Sequence, residues 1–238
     1  MTELPTVCIL AGGRGERLGQ LVRDVPKPLL DVADEPFLFH QLRLLSHHGA
    51  RRVVVCVGYL GERIRERVGC ERFWLRIEYS FDAPGLDGTL GAIRRARHLL
   101  GERFLVLYGD SYLRLDYRAA AGDWERSECL GLMVVLRNDG RWDASNAVYE
   151  NERVIAHDKS SPSPEMRWID YGLGGLEARA LDQVAHSERD LSVLYARLAE
   201  IGELYGFEAH ERFYEIGRPE SFTETDAFLR RLDTSRLP

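Results

Sequence analysis

Residues 7–18 constrain this chain more than any other stretch. Val7-Cys8-Ile9-Leu10 is apolar at every position and leads into Ala11-Gly12-Gly13-Arg14-Gly15-Glu16-Arg17-Leu18. An apolar run without alternation predicts a strand buried on both faces, as in a parallel sheet covered by helices. Gly12, Gly13 and Gly15 let the backbone turn sharply and approach a ligand with no Cβ in the way. Successive N–H groups in such a turn form an anion nest. Arg14 and Arg17 add planar forks that suit phosphate oxygens, and Lys27 follows between Pro26 and Pro28. The stretch is built for a polyphosphate.

Two common phosphate motifs do not fit. A dinucleotide fingerprint requires a third glycine where this chain has Leu18, and an acid after the next strand, where Val53–Val57 leads into Gly58 and Tyr59. A P-loop requires Gly-Lys followed by Ser or Thr, a triplet this sequence lacks. A nicotinamide oxidoreductase is therefore disfavoured.

The 238 residues are 45% hydrophobic and 29% charged, enough for one large α/β domain. A formal net charge of -6 gives no electrostatic case for nucleic acid. Arg63, Arg65 and Arg67 alternate with Glu62 and Glu66, as on a solvated helix face. Cys8, Cys56, Cys70 and Cys129 lack metal-ligand spacing, and Cys8 and Cys56 fall in apolar strands. Buried thiols lead to the expectation of a reducing, cytoplasmic setting. Neither a signal-peptide pattern nor a run of membrane-spanning length is visible, so no membrane partner is expected.

Periodicity predicts a helix from Pro36 through Leu45, a strand over 52–57, a helix over 61–68 and a strand over 75–79. A turn-rich loop beginning at Asp82 opens into a helix ending near Leu100. Phe104–Tyr108 is a strand ending in Gly109-Asp110, which places a carboxylate in the crevice where α/β sheets bind ligands. The alternative for Asp110 is a helix cap. Strand 130–136 follows, then a hairpin of 146–149 and 153–157 around Glu150-Asn151-Glu152. The glycines of Trp168–Leu176 disfavour an ordinary strand and suggest close approach of a ligand or backbone. A helix through Leu191 and Leu198, a segment over 204–208 and a helix from Pro219 to Leu232 complete the chain.

Leu10–Leu18 with Pro26-Lys27-Pro28-Leu29-Leu30 resembles the signature of the sugar-1-phosphate nucleotidyltransferases. That family joins a nucleoside triphosphate to a sugar 1-phosphate, giving a nucleotide sugar and pyrophosphate. The resemblance implies a Rossmann-like α/β fold: a mostly parallel sheet sandwiched by helices, with a small β-rich sugar-binding part in the C-terminal half. Residues 1–135 would be the nucleotide-binding half and 136–238 the sugar-phosphate half of one domain. It assigns nucleotide contacts to Leu10, Ala11, Gly12, Gly13, Arg14, Gly15, Asp82, Gly88 and Thr89. Asp87 replaces the usual leucine of the base-reading loop. It assigns catalysis to Arg17, Lys27 and Asp110, with Arg14 and Arg17 on the β and γ phosphates and Lys27 between the phosphates. Asn146, Lys159, Tyr171 and Gly172, with Asp170 beside them, would meet the sugar phosphate, and Lys159 would steer it. Mg²⁺ would be held by Asp110 and by Glu215, which stands where the family has Asp. Asp116 is the nearest further acid after Asp110, its role open. The fold often forms homo-oligomers. A heptose- or hexose-1-phosphate guanylyltransferase is the first expectation. Uridylyl-, thymidylyl- and cytidylyltransferases are the variants. A catalytically silent nucleotide-sugar binder is the competing class, favoured only by Glu215.

Overall fold

The computed structural model describes residues 3–83 and 88–232, with the backbone alone at Gln20 and Leu21. The Asp87 substitution lies outside the described residues. In chain order the elements are β1 (Thr6–Ala11), a ribbon of β2 (Asp31–Val32) and β3 (Glu35–Pro36), α1 (Phe37–His47), β4 (Arg52–Val57), α2 (Gly61–Val68), β5 (Glu71–Arg72), β6 (Leu75–Phe81) and α3 (Gly88–Leu100). Then come β7 (Arg103–Tyr108), β8 (Ser111–Tyr112), α4 (Tyr117–Ser127), β9 (Gly131–Arg137), β10 (Ala147–Glu150), β11 (Arg153–His157) and β12 (Trp168–Glu177). The last elements are α5 (Leu191–Glu200), β13 (Leu204–Ala209), β14 (Tyr214–Glu215) and α6 (Pro219–Arg231).

Among the described residues, ten strands form one sheet in the order β10-β11-β13-β9-β12-β7-β1-β4-β6-β5. β7, β1, β4 and β6 are parallel neighbours. β12 runs antiparallel between β7 and β9, and β13 is parallel to β9. The C-terminal strands extend the sheet that carries the glycine loop. The strand-rich C-terminal half joins the first half through β12, which pairs directly with β7.

β1 shows why its apolar run does not alternate. Val7, Ile9 and Ala11 pack in a core with residues of α1, α2 and α4, while Cys8 packs in a second core with residues of α3 and α5. Burying both faces removes any polar side from the strand's sequence pattern. Cys8 and Cys56 meet in that second core with Sγ atoms 3.5 Å apart as free thiols, and the hydrogen bond between them, with burial, pushes the Cys8 thiol up.

The glycine-rich segment 168–176 is a strand, β12, over ten residues, but not a regular one. Its glycines serve packing. A Cβ at Gly175 would lie 2.7–3.0 Å from the Trp124 ring, and one at Gly174 would overlap the Tyr195 hydroxyl. The strand does carry an irregularity: the five residues Asp170 to Gly174 span three residues of β9, Val135 to Met133. Gly172 has φ +102° inside that bulge. Asp116 caps α4, accepting the backbone N–H groups of Arg118 and Ala119 at 2.9 and 3.0 Å.

Candidate active site

The glycine loop leaves β1 at Ala11 and lies against two other loops. A Cβ at Gly12 would meet the Asp82 carboxylate at 2.5 Å, and one at Gly58 would meet it at 2.6 Å and the Gly12 carbonyl at 2.8 Å. These glycines make room for the carboxylate that closes one end of the loop. At the other end, Gly15 adopts φ +67° against the Lys27 stem. Buried Pro28, within the 3₁₀ turn Lys27–Leu29, fixes the base of Lys27. Its Nζ reaches Asp110 Oδ2 at 2.6 Å, with the two side chains 13% and 27% exposed. Gly109 lets the chain pass β1 closely, since a Cβ there would be 2.7 Å from the Leu10 carbonyl. Asp110 is thus an ion-pair partner at a strand end and not a helix cap.

Two cavities meet at this pair. The first, about 300 Å³, is lined by the glycine loop, Lys27, Asp82, Gly88, Thr89 and Asp110. Thr89 accepts the Leu191 N–H at 2.9 Å, which ties the start of α3 to α5. Gly88, at φ +67°, fits beneath the Arg189 backbone. The second cavity, about 400 Å³, is lined by Arg17, Lys159, Arg218, Asp110, Glu215, Asn146, Asp170, Tyr171 and Gly172, among others. Tyr108 and Asp110 line both.

The second carboxylate arrives through a two-stranded ribbon. β14 pairs antiparallel with β8, Glu215 opposite Ser111, and the Ile216 N–H donates to the Asp110 carbonyl at 3.0 Å. Glu215 Oε2 accepts the Gly217 N–H at 3.1 Å, and Gly217 leaves room for that carboxylate to fold over its own turn. Thr225 of α6 donates to the Glu215 carbonyl at 2.7 Å.

The predicted residues divide between the cavities in ways their spacing did not show. Arg17 lines the second cavity, whereas exposed Arg14 lines neither. Asn146 uses its Oδ1 internally, accepting the Asp170 N–H at 2.9 Å. The Tyr171 ring is buried and donates its hydroxyl to the Arg114 carbonyl at 3.2 Å. Lys159 reaches Asp170 Oδ2 at 2.8 Å and the Tyr108 hydroxyl at 3.1 Å. Burial alone would raise the Asp170 carboxyl, but the Lys159 ammonium beside it holds it below the usual range. Burial would lower Lys159, but Asp170 and then Tyr108 hold its ammonium above the usual lysine range.

Residues that sequence reasoning missed are Tyr108, Trp142, Asp143 and Arg218. Tyr108 is the last residue of a buried strand, and only its position beside Gly109-Asp110 hinted at a role. Arg218 stands three residues after Glu215, and its guanidinium lies 3.5 Å from Asp143, both lining the second cavity.

A sequence profile described as nucleotidyl transferase matches residues 6–141. The chain belongs to the nucleotidyl transferase family. The matched span runs from β1 through β9 and holds the whole first cavity. Mannose-1-phosphate guanyltransferase beta-A of Xenopus laevis is 28% identical over 225 residues, covering 90% of this chain and 61% of that protein. The chain therefore spans about three-fifths of that relative's length. D-glycero-alpha-D-manno-heptose 1-phosphate guanylyltransferase of Campylobacter jejuni is 35% identical over 108 residues, 45% of this chain and 48% of that protein. Among solved structures, HddC from Yersinia pseudotuberculosis superposes with a TM-score of 0.80 at 22% identity, covering 95% of this chain and all of that one. The likeness shows a shared mixed α/β fold.

Nucleotidyl transferases of this family generally use a divalent metal. The donor set here suits a hard cation. Asp110 and Glu215 offer carboxylate oxygens from neighbouring strand ends in one cavity. Among the described residues no cluster of three or more His, Cys, Asp or Glu could hold a metal alone. Mg²⁺ commonly takes one or two carboxylates and completes its shell with water and substrate phosphates.

Proposed function

We propose that this chain transfers the nucleotidyl group of a nucleoside triphosphate to the 1-phosphate of a hexose or heptose, releasing pyrophosphate, with guanine as the preferred base. The observation that carries this is the pair of abutting cavities sharing Tyr108 and Asp110, with the Lys27–Asp110 pair at their boundary. The first has the glycine loop that a triphosphate requires. The second has three cationic side chains, Arg17, Lys159 and Arg218, among four carboxylates, Asp110, Asp143, Asp170 and Glu215.

A sugar phosphate is largely dianionic at neutral pH, so its oxygen attacks the α-phosphorus with no general base. The obstacles are charge repulsion and the charge growing on pyrophosphate, which positioned cations and amides offset. The loop amides of Gly12 and Gly13 take the triphosphate. Lys27 lies at the boundary, where the two phosphates meet, and Lys159 receives the acceptor phosphate. Arg17, lining the acceptor cavity beside Asp110, screens the repulsion between the incoming and transferred phosphates. Asp110 and Glu215 would hold Mg²⁺, which when bound neutralises phosphate charge. The base assignment rests on the relatives named as guanylyltransferases. The intact Lys27–Asp110 pair disfavours a silent binder, because nucleotide-sugar binding alone does not need a paired charge at the reacting centre.

Pyrophosphate release with Mg²⁺ tests this across the common nucleoside triphosphates and a panel of hexose and heptose 1-phosphates. GTP with one acceptor should be turned over, a chelator should stop the reaction, and Asp110→Ala should abolish it in a folded protein. Heat protection by a nucleotide sugar without turnover in either direction would instead establish the silent binder.

A further inference from the structure

The sequence contains 32 basic Lys and Arg residues, and only Lys27 and Lys159 are lysines. Both stand in the site, and each pairs with a carboxylate at hydrogen-bond distance, Asp110 at 2.6 Å and Asp170 at 2.8 Å. Everywhere else the chain uses arginine. An ammonium differs from a guanidinium in offering three donors from one compact centre, where arginine offers a flat fork of five. The surroundings of Lys159 use that difference.

The Lys159 ammonium donates to Asp170 Oδ2 at 2.8 Å and to the Tyr108 hydroxyl at 3.1 Å. Tyr108 passes its own proton on, donating to the same Asp170 oxygen at 3.2 Å. Burial raises the Tyr108 phenol, so it stays a neutral donor and acceptor. The Asp170 side chain is 3% exposed, and its other oxygen accepts the Gly172 N–H at 3.0 Å. Asn146 Oδ1 accepts the Asp170 backbone N–H at 2.9 Å. The bulge in β12 allows this, since Gly172 at φ +102° brings its N–H round to the carboxylate, and a Cβ there would crowd Ser111 and Tyr108. Asp170 is thus wholly committed to protein groups and unavailable to a sugar hydroxyl. Lys159, 37% exposed, lines the second cavity with its remaining donor.

We propose that Tyr108 and Asp170 are positioning residues for the acceptor: they occupy two of the three donors of Lys159 and direct the third into the cavity, where it takes the phosphate of the sugar 1-phosphate. This rests on the nucleotidyl transfer proposed above. It gives Tyr108 a role in a wall that otherwise looks like strand core. It also places Asp170 and the Asn146 carbonyl behind the lysine, so sugar hydroxyls are read by other groups.

The test uses the full chain and two readouts. In pyrophosphate release, Tyr108→Phe removes one oxygen and should raise the acceptor KM about tenfold, the loss expected for a hydrogen bond to a charged group. The KM for the nucleotide should stay within about twofold. In a Lys159→Met background the same Tyr108→Phe change should have no further effect, because a residue acting only through Lys159 is silent without it. Lys159→Arg should not restore the acceptor KM. The second readout needs no turnover. Selective ¹³C-lysine labelling gives two ε-carbon signals, and Lys159→Met identifies the one to follow. Glucose 1-phosphate or mannose 1-phosphate should move the Lys159 signal, and Tyr108→Phe should weaken that response. Asp170→Asn is the stronger perturbation where it folds, and Tyr108→Phe carries the test where it does not. An unchanged acceptor KM, an equal effect in the Lys159→Met background, or a Lys159 signal indifferent to sugar phosphate and to Tyr108→Phe would overturn the positioning role. Absence of turnover by the wild-type protein, with the lysine signal still responding to sugar phosphate, would instead overturn the transferase proposal.

Discussion

Gly13→Ala separates what the fold needs from what a triphosphate needs. Gly13 is exposed, its φ lies outside the left-handed region, and a Cβ added there would meet nothing within 4 Å. An alanine fits the folded backbone without strain and narrows the unfolded ensemble. Such replacements stabilise by about 0.4–1 kcal/mol. For a chain of 238 residues that raises Tm by roughly 1–4 °C. The open space beside Gly13 is, in the proposed function, the approach path of the triphosphate. A methyl there pushes the phosphates off the loop amides, and losing one hydrogen bond to a charged group weakens binding about tenfold or more. Thermal melts should therefore show a protein at least as stable as wild type, and pyrophosphate release at saturating acceptor should show a nucleotide KM raised by about an order of magnitude. Gly12→Ala makes the comparison: its Cβ would lie 2.5 Å from the Asp82 carboxylate, so it should raise the nucleotide KM with no gain in Tm. A Gly13→Ala protein that melts higher and keeps its nucleotide KM would refute the loop as the triphosphate cradle.

Gly175→Ala should act the opposite way. Its Cβ would stand 2.7–3.0 Å from the buried Trp124 ring, so overpacking should cost about 1–3 kcal/mol in thermal or denaturant unfolding, with both KM values unchanged. Acid should destabilise the fold through its buried histidines. Burial lowers His48 to about 4, with Nε2 unpartnered, and burial also lowers His40 and His157. Below about pH 6.5 the unfolded chain then binds protons that the folded chain refuses, so stability is full above that pH and falls toward pH 4. Tm measured from pH 7.5 to 5 should decline, and His48→Phe, which keeps the packing on Tyr117, should decline less.

The glycine loop was legible because two demands coincide there. The same residues must end a strand buried on both faces and leave backbone free for anions, so pattern and chemistry agree. The parallel strands β4 and β7 were legible for the first reason alone. β12 was not, because its glycines answer to Trp124 on α4 and Tyr195 on α5, and one-dimensional spacing carries no trace of a ring arriving from another element. The extension of the sheet by the C-terminal strands is likewise a consequence of β12 pairing with both β7 and β9. Asp116 could be named in the sequence but not assigned until α4 was seen to begin on it.

The lysines show the same limit in the site and a way past it. Lys159 was found by its place after a hairpin, yet nothing local announced that Asp170, eleven residues on, and Tyr108, on a strand from the other half of the chain, would pair with it. The count of lysines could have announced them. A chain that meets its surface needs with arginine, and keeps lysine for two places, is using the ammonium for its geometry. In both places the partner is a carboxylate on or just beyond a sheet strand, Asp110 after β7 and Asp170 on β12, and these two strands are antiparallel neighbours. The carboxylate partners of Lys27 and Lys159 are therefore brought together by adjacent strands, with Tyr108 lining both cavities. The two charges that the proposed reaction needs, one at the transferred phosphate and one at the incoming phosphate, follow from the single pairing of β7 with β12.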